Sequence, residues 1–239
     1  MTTMTNQPEE RTRRQFIVRW AVATLVGWIL GFIVAFSTAM LWELIATISW
    51  QNRWNPDSID WLFPILTGVT ILLVGFSVGL AQWHIALKGK MSRWGWLAAN
   101  SLNVIMALAG FWLGSRIIPS SSLFTFQHGM VSGLDTDMTV NETGLVTLAV
   151  IGAFVGIAVS LPQWLVLRHS FQQAYRWILG AALGGIAASG SFVMIVFIVR
   201  NAVLSYSLCC CSTPIIFGGV TGYVLFDMLK QAKTNNVSE

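Results

Sequence analysis

Apolar residues run along this chain in long stretches near 17–41, 61–85, 96–118, 144–167, 177–199 and 206–229, and polar residues gather between them. Each stretch holds about 20 residues, the length a helix needs to cross a hydrocarbon core of roughly 30 Å. Lipid offers a bare amide no partner, so runs of this length predict helices, and the alternating ten-residue pattern of barrel strands is absent. The expected fold is all-α and polytopic: six transmembrane helices between a basic tail at 1–16 and a short tail at 230–239, with the longest connection at 119–143.

The stretches repeat. Gln82-Trp83 and Gln163-Trp164 stand 81 residues apart (163 − 82), and at that offset Gly75, Gly79, Gln82, Trp83 and Trp96 fall on Gly156, Ser160, Gln163, Trp164 and Trp177. Trp20 is followed by Gly27 and Gly31 as Trp177 is by Gly184 and Ala188, while the middle copy has Asn103 and Ala107 at those places. At an offset of 62 the sixth span is a worn copy, with Leu225 and Phe226 where the others have Gln-Trp. The unit is a helix pair used three times, circularly permuted. Equivalent helices cross in one direction, so the copies are parallel and their axis lies along the membrane normal. A six-helix ring would set span one beside span six.

Composition agrees with a membrane chain: 55% of the 239 residues are hydrophobic and 10% charged, and mean hydropathy is +0.66, where a soluble domain carries about 25% charged residues. The basic residues set the orientation. Arg11, Arg13, Arg14 and Arg19 precede span one, Lys88, Lys90 and Arg93 follow span two, Arg168 and Arg176 follow span four, and Lys230 and Lys233 end the chain. The alternate connections carry Glu43, Asp57 and Asp60, then Asp135, Asp137 and Glu142, with Arg200 the exception. The positive-inside rule then places both termini in the cytoplasm of a cell membrane, and it accounts for the net charge of +4 without nucleic acid. Arg13-Arg14 resembles a twin-arginine signal, but no small-residue cleavage site follows it. Asn141-Glu142-Thr143 fits a glycosylation triplet, a pattern frequent by chance.

Every span holds a Gly-x3-Gly pair: Gly27/Gly31, Gly75/Gly79, Gly110/Gly114, Gly152/Gly156, Gly180/Gly184 and Gly218/Gly222. Helices in lipid associate through close backbone approach, which such pairs permit. Gln82 shares a face with Gly75 and Gly79, as Gln163 does with Gly156 and Ser160, so both amides face neighbouring helices. A lone amide at that depth costs a few kcal/mol, and Asn100 and Asn103 are the candidate partners. Two uses fit the four amides: interhelical hydrogen bonds, or the lining of a polar pocket on the axis. Trp83, Trp96, Trp164 and Trp177 fall at headgroup depth, where an aromatic belt accounts for them unless their N–H groups turn inward. Trp50, Trp54 and Trp61, around Asn55-Pro56-Asp57, suit a second interfacial anchor. Segment 119–143, with Ser120-Ser121-Ser122, serves as a recognition lid or as a plain long connection.

Catalytic chemistry has no visible machinery. His-Glu-x-x-His, Gly-x-Ser-x-Gly, paired intramembrane aspartates and phosphate-cradling loops are all missing. Glu43, Arg116 and Asp227 sit near span ends, which weighs against a proton relay or ion-coupled pump. His84, His128 and His169 do not recur in register, and Cys209-Cys210-Cys211 point about 100° apart on a helix, unsuited to a disulfide framework or a metal site of their own. No cofactor or metal is expected. The pattern from Gly156 through Gln163-Trp164-Leu165-Val166-Leu167-Arg168 to Trp177 and Gly184 resembles uncharacterised multi-pass proteins of bacteria, cyanobacteria among them. That resemblance implies a bacterial inner-membrane protein and carries no activity. The expected role is non-enzymatic: an assembly, accessory or partner-binding component whose partners are the bilayer and another membrane protein or a second copy. The alternative is a small-solute transporter or solute-binding subunit with the pocket between repeats and 119–143 as gate.

Overall fold

Helices carry the apolar stretches, as backbone satisfaction in lipid requires. The computed structural model describes residues 7–51, 62–88, 91–117, 125–127, 137–139, 142–198 and 202–235. In chain order they form α1 (Gln7–Gln51), α2 (Leu62–Gln82), a π turn (Trp83–Leu87), α3 (Arg93–Ser101), α4 (Asn103–Ile117), α5 (Glu142–Leu167), α6 (Tyr175–Ile198) and α7 (Ala202–Asn235). Two three-residue strands between α4 and α5 are the exception to the all-α expectation. They pair antiparallel, Thr125 opposite Thr139, Phe126 opposite Met138 and Gln127 opposite Asp137, within the long polar connection.

Among the described residues five helices are long and apolar enough to cross a membrane on their own, and α3 with α4, bent by 40° at the break, counts as a sixth when the pair is taken as one span. The sequence predicts a single span there, near 96–118. The break has a local cause: Leu102 N–H turns to Asn100 O, and the Asn100 side chain donates to Trp96 O at 2.9 Å. Short amides compete for backbone groups in this way and interrupt helices. At the N-terminus helix begins at Gln7, so the basic stretch ahead of span one is helical and not a loose tail, and Arg14 pairs with Glu10 at 2.7 Å one turn away. At the other end α7 carries helix to Asn235.

Neighbouring helices follow one another around the bundle. α1 packs on α2, α2 on α3, α4 on α5, α5 on α6, α6 on α7, and α7 returns to α1. The contacts are made by glycine. A methyl on Gly156 would collide with the Ala181 carbonyl of α6, and Gly152 meets Gly185 of the same helix equally closely. Gly75 stands against the Asn100 carbonyl, Gly79 against the Asn100 side chain, Gly218 against Ala21 and Thr24, and Gly222 against the Trp20 indole. All six are buried, as are Gly27, Gly31, Gly110 and Gly114.

The densest packing lies at one end of the bundle, around Phe16, Trp20, Leu87, Trp96, Leu167, Phe171, Trp177, Leu225 and Met228. Further along the same helices, outward apolar side chains such as Phe36, Leu108 and Met194 are exposed, the surface a bilayer would cover. Trp54, Trp61, the Asn55-Pro56-Asp57 turn, Ser120-Ser121-Ser122, His128, Asn141 and Arg200 lie outside the described residues.

Candidate functional site

Trp96 and Trp177 stand in the first turn of α3 and α6, and Trp20 lies deeper along α1; small residues that follow them, Gly27, Ala99 and Ala181 among them, are buried against neighbouring helices. The three rings meet at the centre. Ring centroids are 5.8 Å apart for Trp20 and Trp96, 6.1 Å for Trp20 and Trp177 and 6.2 Å for Trp96 and Trp177, all edge to face, the geometry the aromatic quadrupole favours. All three are almost wholly buried, at 0, 0 and 1% exposure. Trp96 and Trp177 therefore do not belong to an outward aromatic belt: their depth along the helix suits a headgroup, but the rings turn inward.

Trp83 and Trp164 are half-buried at the rim of this cluster. Arg93 lies over the Trp83 ring at 5.3 Å and Arg168 over Trp164 at 5.4 Å, contacts that cation–π attraction stabilises. Trp83 Nε1 also donates to Met91 O at 3.3 Å. Arg13 covers Tyr223 in the same manner at 4.0 Å.

A chain of hydrogen bonds leads outward from the triad. An indole N–H can only donate, so Trp177 Nε1 fixes Gln163 Oε1 as its acceptor at 3.0 Å, which leaves Gln163 Nε2 to donate to Asn100 Oδ1 at 2.9 Å. Asn100 Nδ2 then goes to Trp96 O. Asn103 Nδ2 donates to Asn100 Oδ1 at 2.8 Å; turning its amide end for end exchanges that bond for donation to Val159 O and Ala99 O at 3.2 Å and acceptance from Gln163 Nε2 at 3.0 Å. In either orientation Asn103 belongs to the cluster.

Gln82 belongs to a second chain. Thr24 Oγ1 donates to Trp20 O at 2.9 Å and accepts from Gln82 Nε2 at 3.1 Å, while Trp20 Nε1 donates to Thr221 Oγ1 at 3.1 Å. Thr221 Oγ1 passes its own proton to Phe217 O at 2.8 Å. Gln82 and Gln163 are each 4% exposed, and Asn100 not at all. The four candidate amides thus fall into two hydrogen-bonded groups. Among the described residues, two buried side-chain atoms have no partner: Gln82 Oε1 and Trp96 Nε1.

Thr24 and Thr221 were not candidates from the sequence, yet each holds a network together. A signal for Thr24 existed: it stands four residues after Trp20, as Asn100 stands four after Trp96. Of the ionisable groups near span ends, Glu43 and Arg116 are exposed, with Arg116 over the Trp112 ring at 5.4 Å, and Asp227 is half-buried. Among the described residues no three His, Cys, Asp or Glu side chains gather where they could hold a metal.

Five to six long apolar helices around a small, aromatic and amide-lined centre make up a multi-pass helical membrane protein. No protein-family model, curated protein or solved structure matches the chain.

Proposed function

We propose that the protein is a six-span cell-membrane component assembled from three parallel helix-pair repeats, both termini cytoplasmic, that acts by holding or assembling a partner and not by catalysis. The repeat is supported by equivalent contacts: Gly75, Gly156 and Gly218 each stand against the residue four after a buried tryptophan, namely Asn100, Ala181 and Thr24. Return of α7 to α1 supports the ring. A cytoplasmic Trp end is supported by the exposed basic side chains around it, among them Arg14, Arg19, Lys88, Arg93 and Arg168.

The observation that carries a structural role for the amides is the direction of their hydrogen bonds. Gln163 and Asn100 satisfy each other and Trp177, and three packed indoles occupy the middle where a solute path between repeats would run. A transporter would instead leave such amides facing a passage. The partner-binding reading is tested by affinity purification from native membranes in mild detergent with a C-terminal tag. Expected is a second membrane protein, or a second copy, at fixed stoichiometry. Recovery of a lone monomer at every detergent tried overturns it.

A further inference from the structure

Gln82 Oε1 and Trp96 Nε1 are a buried acceptor and a buried donor without partners, and the packing of α2 on α3 sets their residues at one level of the bundle. Two independent contacts place them together. Gly79, one turn before Gln82 on α2, meets Asn100 Cβ, which is one turn after Trp96 on the antiparallel α3. From the other side, Gln82 donates to Thr24, one turn after Trp20, whose ring lies 5.8 Å from that of Trp96. Gln163 and Trp177, like Gln82 and Trp96, are fourteen residues apart, and there the bond is direct.

Neither partner of the Gln82–Trp96 pair is free to close on the other. Trp96 is wedged edge to face between Trp20 and Trp177. Gln82 cannot reverse its amide, because the Thr24 hydroxyl donates to Trp20 O and is left only to accept from Gln82. A buried donor or acceptor left bare is destabilising, and a buried water satisfies such groups when it finds two or more polar partners. The π turn that starts at Trp83 widens the helix beside the pair.

We propose that one buried water molecule bridges Trp96 Nε1 and Gln82 Oε1, accepting from the indole and donating to the amide. The site exists only in this corner of the triad: the corresponding needs of Trp177 and Trp20 are met by Gln163 and Thr221. It is independent of any partner the protein binds.

The first test is a density map of the wild-type protein in lipid nanodiscs at a resolution that shows ordered solvent. Expected is a peak within about 2.7–3.2 Å of both atoms. A map with Gln82 Oε1 directly on Trp96 Nε1, or with no density between them, overturns the proposal. The second is water-to-indole magnetisation transfer on protein labelled with ¹⁵N tryptophan. One buried indole, removed from the spectrum by Trp96→Phe, exchanges magnetisation with water while those of Trp20 and Trp177 do not, and Gln82→Leu abolishes or strongly reduces that transfer. Equal transfer to all three indoles, or none to Trp96, refutes the bridge, and the wild-type map decides should either variant fail to fold.

Discussion

Gly156→Ala and Gly190→Ala are the same chemical change on two helices of the bundle, and only the first is expected to destabilise it. On α5, a methyl at 156 would overlap the Ala181 carbonyl of α6, a backbone atom that no rotamer change removes. On α6, a methyl at 190 meets nothing within 4 Å. Overfilling a packed contact costs about 1–3 kcal/mol, and Ala in place of Gly in a helix interior returns up to about 1 kcal/mol. Gly156→Ala should therefore destabilise by roughly 1–2 kcal/mol, since the clash is with backbone, and Gly190→Ala should be neutral or stabilising by up to about 1 kcal/mol. Gly68→Ala, also in open space, is the second control. Unfolding free energies measured in bicelles, by trapping the separated state of a doubly biotinylated protein with streptavidin, resolve differences of this size. Equal effects at 156 and 190 would mean that helix propensity, and not contact between α5 and α6, governs these glycines.

Other outcomes follow from the same contacts. In a double-mutant cycle, Gln163→Leu and Trp177→Phe should be coupled by about 0.6–1.7 kcal/mol, the range for interhelical hydrogen bonds in lipid; additive losses would show that the 3.0 Å bond contributes nothing. Trp96→Ala should cost about 3 kcal/mol, the low end of the range for a buried aromatic because lipid removes much of the transfer term, whereas Trp28→Ala, at a residue 40% exposed, should cost much less in the same assay.

The spans were legible because lipid imposes one constraint, internal backbone bonding, over twenty residues at a time. Glycine spacing was legible for a similar reason: only a residue without a side chain lets a neighbour's carbonyl approach as Ala181 approaches Gly156. What escaped was direction. Trp96 and Trp177 stand at headgroup depth by sequence count, and depth alone does not say whether a ring faces lipid or the bundle; their burial depends on small residues of other helices, a long-range fact. The bend at Leu102 was hidden because its cause is a side-chain amide competing with the backbone, while the apolar run continues unbroken through it. The helical start of α1 was hidden by its charge, since the basic stretch reads as a solvated tail and yet carries Phe16 into the core.

Under the proposed threefold arrangement, the lost glutamine of the last repeat ceases to be a loose end. Gln82 reaches back to Thr24 and Gln163 to Asn100, each the residue four after a buried tryptophan on the preceding inward helix. For the third copy that residue is Ala181, which offers no acceptor, and the position of the glutamine is Leu225, fully buried. A Gln at 225 would have had an unpaired Nε2 in a packed core, at about 1–3 kcal/mol; Leu beside Ala avoids it. The change strands one donor, the Trp20 indole, and Thr221, one turn earlier on α7, accepts from it at 3.1 Å. Replacement of both members of an amide pair by apolar residues, with one hydroxyl supplied for the remaining N–H, is the pattern expected of groups kept for helix-to-helix bonding.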